Sequence, residues 1–283
     1  MPIDIDKVVG AELPALSHSW DADDVILYHL GIGAGDPATA EGELEYCYEG
    51  KLKVLPTFAV VPVFNAIAQV MGVDGMEINP IMILHGEQAI TIHQPLPTNA
   101  TVESTAVIKD VFDKGKGAAV IVETETRDQA STLLATNRFL VFVRGEGGFG
   151  GPSGPPPGNA APERPADLVV ESTTLPQQAL LYRLSGDKNP LHADPGFAAM
   201  GGFDRPILHG LCSYGIVCKA AVDGMLDGDV KSVADFSARF AGVVFPGETI
   251  VTSMWREDGR VVLAASCKER GTPVISNAAI AVQ

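Results

Sequence analysis

Residues 182–195 read Tyr182-Arg183-Leu184-Ser185-Gly186-Asp187-Lys188-Asn189-Pro190-Leu191-His192-Ala193-Asp194-Pro195. Ten residues further on, Arg205-Pro206-Ile207-Leu208-His209-Gly210 opens an apolar run to Met225. Gly186 stands where a glycine commonly follows the last turn of a helix. Asp187-x-Asn189-Pro190 is an Asx-type turn, in which short polar side chains bond their own backbone. Pro190 bars continuation as helix. From His209 to Met225 one apolar face runs through Leu211, Tyr214, Val217, Cys218, Ala221 and Met225, the three-and-four spacing of one helical stripe. Gly215, Ala220 and Ala221 keep this helix slim, which suits a helix wrapped by a sheet. Four β-branched runs follow: Phe236–Phe245, Glu248–Trp255, Val261–Glu269 and Val274–Val282. Asp258-Gly259 and Arg270-Gly271 supply hairpin turns between them.

The N-terminal half repeats this pattern. Tyr28-His29-Leu30-Gly31 answers Tyr182-Arg183-Leu184, and Pro56 leads into an apolar segment, Thr57–Gly72, as Pro206 leads into His209–Met225. Ile81–His93, Thr101–Val111, Ala118–Arg127 and Leu133–Val143 are the corresponding strands. Pro62, inside the first apolar segment, is either a kink or a plain helix start. Between the halves, residues 145–165 read GEGGFGGPSGPPPGNAAPERP, a Gly/Pro-rich linker with no apolar period. The division is therefore 1–144, linker 145–165, and 166–283. A long central helix plus an antiparallel meander, present twice, is an α+β layout. Two such sheets can join edge to edge and so hide strand edges.

The 283 residues fit one large domain or two of ordinary size, and 46% of them are apolar, enough for real cores. A net charge of −15 disfavours nucleic acid and anionic membranes as partners. Cys47, Cys212, Cys218 and Cys267 form no C-x-x-C pair and read as reduced thiols. The start, MPIDIDKVVG, lacks a signal-peptide core, and no apolar stretch approaches the ~20 residues of a membrane span. A cytoplasmic location is expected. A peroxisomal one stays open although the chain ends Ala281-Val282-Gln283 rather than in the Ser-Lys-Leu address.

Chemistry centres on the turn. It can bring Asp187 and His192 to one water molecule, so that a carboxylate and an imidazole divide general-base and general-acid work. Gly210, near a helix start, offers a backbone N–H without an intrahelical partner, suited to a developing oxyanion. Taken singly, each feature has a plainer role: Asp187 and Asn189 as turn caps, His192 as a satisfied polar residue, Gly210 as a packing glycine. The complete string ahead of a glycine-led helix favours the chemical role. The N-terminal counterpart, Gly31-Ile32-Gly33-Ala34-Gly35-Asp36-Pro37-Ala38, lacks the histidine and carries no assigned chemistry. Leu211-Cys212-Ser213-Tyr214-Gly215 is not a nucleophile elbow, because the first glycine is missing.

The two strings together resemble the hydratase-2 signature of MaoC-like (R)-specific enoyl-CoA hydratases, over nearly the whole chain, and are similar to the hydratase part of peroxisomal multifunctional enzyme type 2. That resemblance implies a double hot-dog fold and hydration of trans-2-enoyl-CoA to (3R)-3-hydroxyacyl-CoA. It implies no cofactor, the coenzyme A thioester being substrate, and a homodimer. It casts Asp187 and His192 as the water-activating dyad, Asn189 as its support and the Gly210 amide as oxyanion donor. His209, Arg239, Lys188 and Arg205 are the candidate substrate contacts. The family's Lys-x-Arg-Phe is here Ser237-Ala238-Arg239-Phe240, which leaves the coenzyme A phosphate contacts open. The degenerate N-terminal half is expected to make room for the acyl group. Two alternatives stay open: a hot-dog acyl-CoA thioesterase, and a non-catalytic acyl-CoA-binding subunit of a heteromeric dehydratase.

Overall fold

The computed structural model describes residues 3–79 and 82–283. Ten strands form one antiparallel sheet: β1 (Glu12–Trp20), β2 (Ile83–Ile92), β3 (Ala100–Asp113), β4 (Gly117–Asp128), β5 (Leu133–Arg144), β6 (Leu168–Thr173), β7 (Val233–Phe240), β8 (Thr249–Glu257), β9 (Arg260–Cys267) and β10 (Pro273–Val282). Their order is β1-β3-β4-β5-β2-β7-β10-β9-β8-β6. Taken from each outer edge inward, the two halves have the same order. This is the double hot-dog layout, with the halves fused edge to edge through antiparallel β2 and β7. Along the seam Gln88 faces Ala238 and Ile90 faces Phe236, all four buried. The fusion satisfies two strand edges that would otherwise be open to other chains.

Three strand expectations need correction. β1 and β6 were not anticipated. Both are edge strands, and much of each sees solvent, so apolar alternation is weak. β1 also carries Pro14, which an edge tolerates, beside a register shift between Leu13 and Leu16. The run expected over Phe236–Phe245 starts earlier, at Val233, and stops at Phe240. Beyond Phe240 the chain leaves the ladder: Val244 O accepts from Leu208 N at 2.7 Å, and Val243 O accepts from the Arg270 guanidinium. Ile81, the expected start of the first strand, lies outside the described residues, and β2 is seen from Ile83.

The Gly210–Met225 helix is unbroken and nearly all buried. Gly215 packs against the Ala22–Gly31 helix and its cap; a Cβ there would sit 2.7 Å from Ile32 Cγ2 and 2.8 Å from the Tyr28 hydroxyl. Its N-terminal counterpart is broken into a 3-10 turn, Pro56–Val60, a looser turn over 61–64, and a short helix, Asn65–Val70. Pro62 is the physical cause. It has no N–H to offer the Phe58 carbonyl four residues back, and its ring clashes there. That carbonyl accepts from Val61 N instead, at 2.9 Å. The Ala59 carbonyl is taken by buried Asn137 on β5 at 3.0 Å, and Asn137 Oδ1 in turn accepts from Gln88 Nε2 at 3.0 Å.

One apolar core spans both halves around Phe58, Tyr214 and Phe236. A second lies under β3–β5, against Val63, Ala66 and Val70 of the broken segment. Residues 145–167 contain no helix or strand, but they are fastened to the sheet. Asp113 accepts from the amides of Gly115, Gly148 and Gly150. Asn277 donates to Gly158 O, and Trp255 donates to Arg164 O.

Candidate active site

Two successive Asx bonds build the site loop. Gly186, at φ 134°, a value that suits glycine, ends the 3-10 turn Arg183–Ser185. Asp187 Oδ1 then accepts from Asn189 N at 3.0 Å, and Asn189 Oδ1 accepts from Leu191 N at 3.0 Å, which opens the 3-10 turn Pro190–His192. Arg183 donates to Lys188 O across the base of the loop.

This backbone path returns His192 to Asp187. His192 Nδ1–H donates to Ile207 O at 2.9 Å. That bond fixes the neutral tautomer and leaves the Nε2 lone pair free. Nε2 stands 3.9 Å from Asp187 Oδ2. The separation is too long for a direct hydrogen bond. It suits one water in contact with both groups, since two atoms each ~2.8 Å from a water oxygen lie roughly 4 Å apart. His209 completes the cluster. Its ring stacks on His192, with centroids 3.8 Å apart and planes 29° from parallel. Its Nε2 donates to the Asp187 backbone carbonyl at 3.3 Å and is also 3.9 Å from Oδ2.

Burial sets the electrostatics. It pushes the Asp187 carboxyl above its ordinary value, against the opposing pull of His192 and the Asn189 amide. Burial pushes His192 down, with Asp187 opposing. It drives His209 down to about 2, helped by His192. Asp187, His192 and His209 have donor atoms within 4.8 Å of one another, a spacing that also falls within reach of a metal ion. As bonded, however, His209 Nε2 carries a proton committed to Asp187 O, so two ligand groups converge rather than three.

Gly210 is the first residue of its helix, and its N–H has no partner among the described residues. The Phe240 ring lies 3.3 Å from where a Cβ at Gly210 would be, and His85 packs edge-on against Phe240 at 4.9 Å. Sequence reasoning missed Phe240 and the Ile207 carbonyl. Both lie within the motif strings, but their residue types gave no sign of these roles, since one acts as a wall and the other through its backbone.

A cavity of about 520 Å³ adjoins the loop. Asp187, Lys188 and Asn189 form one side of it. Phe64, Ala68 and Met71, at helical spacing on the broken segment, form another. His192, His209 and Gly210 are not among its walls. Lys188 is exposed at this cavity, but the other candidate contacts fall elsewhere. His209 is 1% exposed, so it is an interior group and not a surface for substrate. Arg205 is exposed, with its guanidinium 4.7 Å over the Phe245 ring. Arg239 points to the face of β7 opposite Phe240, into a small cleft shared with Arg138 and Asn159. Strand alternation puts it there: Phe236, Ala238 and Phe240 face inward, so Arg239 faces out.

The sequence matches two family models, the MFE-2 hydratase 2 N-terminal domain over residues 18–145 and the MaoC-like domain over 158–278. It is 44% identical over 277 residues to enoyl-CoA hydratase ChsH3 of Mycobacterium tuberculosis, covering 97% of each chain. The chain belongs to the MaoC-like enoyl-CoA hydratase 2 family. Another member, peroxisomal enoyl-CoA hydratase 2 of Arabidopsis thaliana, is 40% identical, with 96% of this chain and 93% of that one covered. The crystal structure of a MaoC-like dehydratase from Phytophthora capsici superposes with a TM-score of 0.89 at 33% identity, covering 99% and 98% of the two chains. Within this hydratase 2 chain the Asp187–His192 loop lies in the MaoC-like part, and the broken helix lies in the part matched by the N-terminal model.

Proposed function

We propose that this hydratase 2 family member adds water across the double bond of a trans-2-enoyl-CoA, giving the (3R)-3-hydroxyacyl-CoA, with Asp187 and His192 as the groups that handle the proton. The supporting observation is the 3.9 Å gap between a carboxylate oxygen and an imidazole nitrogen whose tautomer leaves its lone pair free. A water in that gap loses a proton to the dyad as its oxygen bonds C3. The π electrons of C2=C3 move onto the thioester carbonyl, and the enolate oxygen so formed is met by the Gly210 N–H. The dyad then returns a proton to C2, the carbonyl reforms, and both groups recover their starting states. Asn189 supports the site by holding the turn, and Lys188 stands where a charged part of the substrate can be met.

The acyl group takes the apolar cavity between the loop and the broken helix, so medium-length or bulky chains are the expected substrates. The division of labour follows the halves: 1–144 supplies room, 166–283 supplies chemistry, and 145–165 straps them together. A homodimer, a cytoplasmic location and the absence of any added cofactor belong to the same proposal. Among the described residues, no helix is long and apolar enough to cross a membrane.

The test is hydration of crotonyl- and decenoyl-CoA by the purified chain, with chiral analysis of product and an assay for released thiol. R product without free thiol supports the proposal, and S product or thiol release overturns it.

A further inference from the structure

We propose that His209 is a positioning residue: it pins the Asp187 turn through one N–H and lies flat against His192, so that carboxylate and base keep a fixed mutual geometry. The inference rests on the dyad proposed above. His209 sits at the junction of all three parts of the site. Its ring stacks on His192 at 3.8 Å, and Tyr182 packs against it at 5.0 Å. Its Nε2–H donates to the Asp187 carbonyl, and its own backbone caps the helix that begins at Gly210.

A purely structural ring would not explain one feature. His209 Nδ1 is buried and has no hydrogen-bond partner among the described residues. Buried orphans of this kind are costly and uncommon. A phenylalanine would give the same stack with no orphan, so what histidine adds is the bond from Nε2 to Asp187 O. The groups facing the ring are Asp187, His192, Tyr182 and the Arg183 cation. A proton on His209 would place a second cation beside His192 and near Arg183, out of water. His209 therefore stays neutral while the dyad titrates.

The experiment uses the full chain and follows crotonyl-CoA hydration against pH for His209→Phe and His209→Gln, with Asp187→Asn alongside and folding checked by circular dichroism. His209→Phe keeps a flat ring but loses the bond. Its kcat should fall about 10²-fold, the cost of a misplaced reacting group, with KM changed less than about two-fold. Its acid limb should move to higher pH, because His192, which sets that limb, and the Asp187 carboxylate beside it both lose a nearby N–H dipole that disfavours their protonation. His209→Gln, which can still donate, should recover about ten-fold of that loss and return the limb toward wild type. Full kcat with an unmoved limb in His209→Phe overturns the inference, as does a His209→Gln no better than His209→Phe. Should His209→Phe not fold, ¹⁵N spectra of the wild-type chain decide: Nε2 protonated and Nδ1 bare across about pH 5 to 9 supports it, and a titrating His209 overturns it. Active Asp187→Asn sinks the dyad itself, whereas inactive Asp187→Asn beside unimpaired His209→Phe sinks only the role of His209.

Discussion

The two halves carry the same strand order, yet their histidines differ in one nitrogen. In the N-terminal half His29 uses both ring nitrogens on the backbone: Nδ1 donates to Tyr46 O at 2.8 Å, and Nε2 accepts from Leu55 N at 3.1 Å. It is a staple. In the C-terminal half His192 commits Nδ1 to Ile207 O and keeps Nε2 open toward Asp187. Burial depresses both rings, His29 to about 4, so burial does not distinguish them. The unengaged lone pair does.

The clefts diverge in the opposite sense. Pairing through β2 and β7 sets each half's loop against the other half's helix. The N-terminal loop, with Asp36, meets the intact helix at Ile216 and Lys219 in a polar cleft of about 430 Å³. There Lys219 is locked to Glu43 at 2.6 Å and Asp223 at 2.9 Å. The C-terminal loop meets the broken helix, whose lost turns leave the apolar cavity. On the proposed function, one half supplies the chemistry and the other the space beside it.

The largest effect expected from this asymmetry is on turnover. Asp187→Asn and His192→Gln should each lower kcat by ~10²–10⁴-fold while Asp36→Asn stays within about two-fold of wild type, all followed by loss of the enoyl-thioester absorbance or by product chromatography. An Asp36→Asn enzyme as impaired as Asp187→Asn would mean that the halves are not divided as described.

Chain-length selectivity is the next effect. Ala68→Phe should fill the cavity and cost decenoyl-CoA roughly 10-fold or more in kcat/KM, with crotonyl-CoA little changed. Equal losses on both substrates would remove the acyl group from this cavity.

The break in the N-terminal helix can be tested by stability. Asn137→Ala leaves the buried Ala59 carbonyl without its partner and the Gln88 amide with only its bond to Ala89 O, and should destabilise the fold by about 1–3 kcal/mol in urea denaturation. A loss below a few tenths would mean that water or another group already serves that carbonyl.

The smallest effect is in the pH profile. Protonation of His192 removes the base, so activity falls as pH drops through its pKa. Burial holds that pKa below the ordinary 6.5. The acid limb of kcat/KM should therefore lie below pH 6.5, and a midpoint above it would contradict a buried, neutral base.

Much of this was legible in the chain itself. Gly186, the two Asx side chains and Pro190 act over a handful of residues, so their spacing sets the turn wherever it sits. Pro62 likewise breaks its helix by local sterics. The pattern of β-branched runs gave eight of the strands but not the edges β1 and β6, because Pro14 and a register shift interrupt the first and an exposed apolar Val169 on the outer face blurs the second.

Other features depended on partners far along the sequence. The free nitrogen of His192 exists because Ile207 O takes the other one, and Arg239 lines a separate cleft because β7 turns its apolar face inward. His209, expected to touch substrate, is interior because His192 and Tyr182 cover it. Sequence by itself settled the local backbone, since capping, proline sterics and glycine conformations need no distant contact. Tertiary packing decided tautomer, facing and cavity, because each depends on which atoms from remote segments exclude water from the same few ångströms.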